Sequence, residues 1–488
     1  MTYFLWSSPA LAVILLIASG RVGTVMASIS GVVIALAVAV TTAPAGFNAS
    51  DAMTAAGRGA WIGWIVVPYI LGGLLFWQMA MRTGNAQMPV ENAAPGDDRA
   101  RRRLLFTACF LIGPFAESAT GFGVGIIGTF VLVRRLGLAP SYLLSFSLLS
   151  QTMILWGGMG SGAIVGAAFA RTDAISLAFH GSFIMLAFNL LWLPLYWRLA
   201  ERAGVPANWP ERLSEAGWLI GSVLLVSTCT ALLGPETAML AAYGPVIVAR
   251  YLADERPGVG ELIAAARRMM PFTLLISWLV ITRVVPSLQQ GLQALGRVEP
   301  FAGTPSWSPF FHAGTWLVVA AFGTAVLRGH ISDIAEEAKA AWKTGRLAVL
   351  SIIIFSIMAE IISSSGIAGG LASGLYDVFG RWAVVLTPQI SAIFGALANS
   401  GNAANGLFMG SQVNLAESAG LNIAAVIALQ HVAALSLNMI SPVRMSIVCG
   451  LAGTPGKERE AYRVMAPFAC VMILILLAIS FAIALNVI

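Results

Sequence analysis

Apolar stretches of membrane-crossing length recur from one end of the chain to the other. A helix needs about 20 mainly apolar residues to cross hydrocarbon. Residues 4–20, 22–43, 61–81, 178–198, 217–233, 268–285, 310–327, 347–364 and 464–486 come close to that rule and predict plain spanning helices. Five further stretches, 104–133, 138–170, 236–252, 381–412 and 420–451, are apolar overall but studded with glycine, proline and polar residues. Interruptions of this kind predict broken helices or paired half-helices. The length rule gives about 12–14 crossings in all. The expected fold class is all-α: a polytopic integral membrane protein with two repeat-related halves that contain broken helices or hairpins. No link is long enough for a soluble domain, so residues 1–488 are expected to form one transmembrane domain, with a first half over 1–260 and a second over 261–488.

Composition supports the pattern. Hydrophobic residues make up 58% of the chain and charged residues 10%, against about 25% charged in a soluble domain. Basic residues outnumber acidic ones, 28 to 22, but they sit in short links rather than in a stripe interleaved with aromatics. That is the signature of membrane topology, not of nucleic-acid binding. The link 82–103 holds five arginines, and 328–346 and 456–463 are also rich in basic residues. The positive-inside bias places all three at the cytoplasmic face. The first basic residue, Arg21, follows the first apolar run, so that run is expected to be retained as a helix rather than removed as a signal peptide. Both termini are then expected outside a cytoplasmic (inner) membrane. Cys109, Cys229, Cys449 and Cys470 all lie in apolar runs without metal-ligand spacing. No metal or cofactor is expected. The chain has no nucleotide-binding loop, nucleophile elbow or HExxH, which argues against an ATP-driven pump or a membrane metalloprotease.

Two of the interrupted stretches resemble each other. FAESATGFGVGIIGTF (115–130) and LANSGNAANGLFMGSQ (397–412) each begin with a polar, glycine-rich knot and continue apolar. Downstream, Gly137 pairs with Gly420 and Gly158 with Ser441 at one common offset. A helix broken in hydrocarbon leaves peptide groups without partners, each at a cost of several kcal/mol. Such breaks persist where they line a wet cavity or hold a ligand, and paired breaks in two halves point to a transporter binding site. A glycine-rich helix-packing surface is the structural alternative.

Candidate residues cluster at these places. Glu117, at membrane depth in the first knot, is a candidate proton carrier, because burial disfavours a carboxyl group's charge; capping the next half-helix is its structural alternative. Glu236, in LLGPETAML, is a second proton-coupling candidate or a first-turn helix carboxylate. Ser118, Gly121 and Gly123 of the first knot and Asn399, Ser400, Asn402 and Asn405 of the second are candidate substrate contacts, since amides and helix N-termini can hold a carboxylate. Asn438, Ser441 and Arg444 end the paired stretch. Arg444 can meet a carboxylate in a two-point contact, or it can be an interfacial arginine. His431 reads as a hydrogen-bonded core residue or a proton relay, and Glu360 is another mid-membrane carboxylate. Asp97 and Asp98 read as part of a solvated loop.

The motifs FAESATGFG (115–123), LLGPE (232–236), ANGLF (404–408) and NMISP (438–442) resemble those of the lactate permease family, over most of the chain. Members of that family import L-lactate or glycolate with protons. The resemblance implies a proton-coupled symporter, and it aligns the family's knot glutamate with Glu117 and its GPE glutamate with Glu236. Family members typically carry an Asp where this chain has Gly401 and a Lys where it has Asn438, so a charged pair is absent and Arg444 stands as the alternative cation. The expected partners are a small organic acid anion, protons and the lipid bilayer. A sodium-coupled or uncoupled carrier of another organic anion is the alternative.

Overall fold

The computed structural model describes residues 2–44, 46–81, 97–121, 123–151 and 156–488. Residues 82–96 of the arginine-rich link, Phe122 of the first knot and residues 152–155 lie outside the described residues. The described chain is helical throughout, with one isolated β-bridge, Val298 to Trp307. Nine helical stretches among the described residues are long and apolar enough to cross a membrane.

Three helices open the chain: α1 (Thr2–Ala18), α2 (Thr24–Thr42) and the long α3 (Ala49–Met81). Then α4 (Asp98–Thr107) passes through a π-helical turn, Ala108–Ile112, into α5 (Gly113–Thr120) as one rod. Asp97, exposed just ahead of the helix, caps α4 by accepting the Ala100 N–H, and Asp98 is an exposed residue of its first turn rather than part of a loop. The chain reverses into α6 (Val124–Arg134), and α7 (Pro140–Leu149) and α8 (Ser161–Ala170) follow as the two parts of an interrupted helix. Uninterrupted helices come next: α9 (Ala174–Arg202), α10 (Trp209–Leu233), α11 (Pro235–Glu255) and α12 (Val259–Val284). The short α13 (Pro286–Ala294) leads through a loop to α14 (Ala313–Arg328), α15 (Ile334–Ser364) and α16 (Ile367–Phe379). The second interrupted region then repeats the first: α17 (Ala383–Ala398) reverses into α18 (Gly401–Ala419), and α19 (Ile423–Ser436) breaks into α20 (Pro442–Leu451). The last helix is α21 (Glu458–Ala484).

Four of the five interrupted stretches break where glycine and asparagine adopt left-handed backbone or where proline restarts the helix. The fifth differs. Residues 236–252 fall within α11, a continuous helix that keeps Pro245 inside it. Its break is at its start, where Gly234 (φ 83°) ends α10 and Pro235 opens α11. Proline is well suited to the first helical turn, where its missing N–H costs nothing.

The core of the bundle is α3 packed along α15. Gly59 sits against the backbone of Ile357 and Gly63 against Ile353; a Cβ at either would fall about 2.5–2.6 Å from a Cα there. Small residues allow this approach, which lipid-facing packing needs because burial of apolar surface gains little in a membrane. At one end of the bundle, Arg103 pairs with Asp254 of α11, and Arg328 donates to Ala80 O of α3. There too Arg102 makes a two-point ion pair with Glu215 of α10 (2.6 and 2.8 Å) and donates to Val205 O. The opposite end gathers Tyr3 against Gly374, and Arg381 donating to Ala484 O. The first hairpin, α4 to α6, therefore starts at the arginine-rich end and the second, α17 to α18, at the opposite end.

Candidate functional site

Each knot is built by its own backbone chemistry. In the first, Gly121 (φ 75°) ends α5 and Gly123 (φ 81°) precedes α6, both in left-handed conformations that glycine adopts without strain. Glu117, 1% exposed, turns back over the reversal. Its carboxylate accepts the N–H groups of Gly123 and Gly125, each at 3.0 Å. Two of the amides at the start of α6 are thus satisfied by an acidic side chain placed at the positive end of the helix dipole. In the second knot, Asn399 (φ 50°) ends α17, and Ser400 caps α18 by accepting the Ala403 N–H at 3.2 Å.

The two knots meet through Arg444, in the first turn of α20. Its Nε donates to Asn399 Oδ1 (3.1 Å), its Nη1 to Gln151 Oε1 (2.5 Å), and its Nη2 lies 3.8 Å from Glu117 Oε1. One guanidinium therefore bridges the first knot, the second knot and the end of α7. A second cross-link joins Asn402 Nδ2 to Ser161 Oγ at 3.3 Å. Where the α7–α8 break passes the first knot, backbone touches backbone: a Cβ on Gly158 would lie 2.6 Å from Gly121 Cα.

Beside these contacts is a cavity of about 410 Å³. Gly121, Gly123, Asn399, Ser400, Asn402, Asn438 and Arg444 all line it, so seven of the residues expected from sequence share one void. Thr24, at the start of α2, and the exposed Thr344 of α15 also line it and mark its mouth near the arginine-rich end. Four expected residues lie elsewhere. Ser118 bonds to Phe115 O within its own helix. Asn405 is fully buried and donates to Gly162 O (3.1 Å) and to His431 Nδ1 (3.0 Å), which makes His431 a hydrogen-bonded core residue. Ser441, fully buried, stands outside the cavity lining. Glu236 belongs to a separate cavity.

That second cavity, of about 290 Å³, lies toward the opposite end and is lined by Tyr69, Glu236 and His312 among others. Glu236 accepts from Arg283 Nη2 (2.6 Å) and from the Tyr69 hydroxyl (3.1 Å). Neighbouring residues separate the two voids: Ile70 and Ser161 line the first, Tyr69 and Ile164 the second. Gly160 between them packs directly on Pro235 and Glu236. Glu360 lies apart, held by Arg58 Nε (2.7 Å) and Ser364 Oγ (3.1 Å) as a tie between α3 and α15.

Sequence reasoning passed over Gln151, Ser161, Thr344 and Ser351. Gln151 and Ser161 flank the α7–α8 break, and that position was the available signal. Thr344 and Ser351 lie in an uninterrupted helix, where nothing local marks them.

A family model described as L-lactate permease matches residues 295–488, which include the second knot and Arg444. The chain is 24% identical to an L-lactate permease of Salmonella typhi, with 82% of this chain and 81% of that protein covered. It is 23% identical to a glycolate permease of Escherichia coli (strain K12), over 84% and 83% of the two chains. An L-lactate permease of Bacillus subtilis (strain 168) is also 23% identical, over 86% and 84%. The chain is therefore similar to the L-lactate and glycolate permeases over most of its length, and its last two-fifths match the L-lactate permease family model.

Proposed function

We propose that this chain is a secondary active transporter that moves a small hydroxy-monocarboxylate, of the lactate or glycolate kind, together with protons across a cytoplasmic membrane. The observation that carries the reading is Arg444, a cation held at the edge of a polar cavity where two interrupted helices converge. A carboxylate entering the cavity would meet the guanidinium, with Asn399 and Asn402 as neutral partners and the first amides of α18 close by. The names of the relatives support the substrate class.

In this reading the cavity mouth near the arginine-rich end opens to the cytoplasm, and both termini lie outside. The second cavity is the opposite entrance, closed off by the packing of Gly158 and Gly160. The interrupted regions, entering from opposite ends, are the inverted halves of the transporter, and alternating access moves one against the rest. Glu117 and Glu236 are the proton-coupling carboxylates. Glu236 is the more accessible, with its side chain 18% exposed against 1% for Glu117.

The test is uptake by the purified chain in lipid vesicles under an imposed pH gradient, without sodium. Accumulation of lactate or glycolate is expected. Arg444→Gln should raise the apparent KM at least ten-fold, the change that loss of about 1.4 kcal/mol of binding gives. Uptake that needs sodium would refute proton coupling, and an unchanged KM would remove Arg444 from the site.

A further inference from the structure

The lining of the large cavity is unusual for a site that takes only a three-carbon acid. Arg444 is the single charged residue that lines it among the described residues, and Glu117 already lies 3.8 Å from that guanidinium. A second carboxylate on the cargo would find no second cation, so a monoanion fits and a dicarboxylate does not. Among the described residues, nine with hydroxyl or amide side chains line the cavity and none of the lining side chains is aromatic. The hydroxyls of Thr24, Thr344 and Ser351 bond to no other group among the described residues. Asn438, 5% exposed, leaves its Oδ1 without a partner.

Volume points the same way. At about 30 Å³ per water molecule, the cavity of about 410 Å³ holds on the order of fourteen waters. A three-carbon hydroxy acid, with about six non-hydrogen atoms, would displace fewer than half of them. Water left beside it would occupy hydrogen-bonding positions that a longer chain of hydroxylated carbons could fill. A matched hydroxyl satisfies an acceptor left without a partner and, where it replaces an ordered water, recovers the entropy of holding that water.

We propose that the preferred cargo is a polyhydroxy monocarboxylate of four to six carbons, with its carboxylate at Arg444 and its hydroxyls along Ser161, Asn402, Asn438 and Ser351 toward Thr344. The proposal rests on the transport reading above and narrows its substrate class. Ser351 and Thr344 on α15 are the specificity-determining positions, because they stand on a helix outside both knots and present hydroxyls that no described residue uses.

The experiment compares radiolabelled lactate, glycerate, threonate and gluconate in vesicles containing the full chain. Threonate or gluconate is expected to show an apparent KM at least ten-fold below that of lactate. Ser351→Ala, alone and with Thr344→Val, should shrink that ratio to under three-fold by raising the KM for the longer acid more than that for lactate. Each variant is checked for an unchanged melting midpoint, and Ser161→Ala provides an independent second variant. A lactate KM equal to or below those of the longer acids would overturn the proposal while the transport reading stands. A ratio that none of the variants moves would overturn the assignment to α15 and Ser161. Failure to accumulate any of the four acids under any gradient would remove the transport reading itself, and the proposal with it.

Discussion

Glu117 performs two tasks that the sequence could only offer as alternatives. It caps α6 through two backbone amides and faces Arg444 across 3.8 Å. The cap was legible because it is local: a carboxylate six to eight residues before the glycines whose amides it takes. The arginine partner was not, because no sequence rule joins positions on helices so far apart in the chain. Glu117→Gln separates the roles. It keeps one acceptor oxygen for the cap and removes the charge. Loss of pH-driven accumulation with counterflow exchange preserved is expected if the carboxyl carries the proton. Unchanged accumulation would leave the residue with only its capping role. The same limit explains Ser118 and Asn405. Both sit in the two knots or beside them, but which way a side chain points depends on helical phase, and neither lines the cavity.

At the scale of elements, interruptions were readable wherever the residues that cause them are local. Gly121, Gly123, Asn399 and the Ser441–Pro442 restart all fall within the stretches marked by composition. Composition failed at residues 236–252, where glycine and proline inside an apolar stretch left α11 whole. A membrane helix can absorb an internal proline when its neighbours satisfy the freed carbonyls. What anchors the first hairpin was also not legible: Arg102 and Glu215, 2% and 4% exposed, pair two helices distant in the chain. Truncating one member, as in Glu215→Ala, should cost roughly 3–5 kcal/mol because it leaves an unpaired buried charge. Replacing both with apolar residues, Arg102→Met with Glu215→Leu, should recover much of that loss. Denaturation of the purified protein in detergent measures both. A single variant as stable as the starting protein would mean that water reaches the pair.

For the whole molecule, the apolar runs sufficed for a helical membrane protein. They could not reveal the two voids seen among the described residues, one toward each end, separated by neighbouring residues of α3 and of the α7–α8 region. The arrangement makes a sidedness test possible. In a background without native cysteines, Thr344→Cys should react with a membrane-impermeant thiol reagent only from the cytoplasmic face, and Ser306→Cys only from the outside. The reverse pattern would invert the proposed orientation. Substrate should slow labelling at Thr344→Cys, where the mouth narrows. The three-way grip on Arg444 has a consequence of its own. A guanidinium already engaged by an amide from each side and a carboxylate behind has to slacken at least one of those bonds to receive a new anion. Loading would then loosen the same fastening that keeps the two re-entrant loops together, so avidity for cargo and readiness to change shape are set by one side chain. A firmer clasp by Gln151 or Asn399 would make a carrier that is slower to leak and harder to fill.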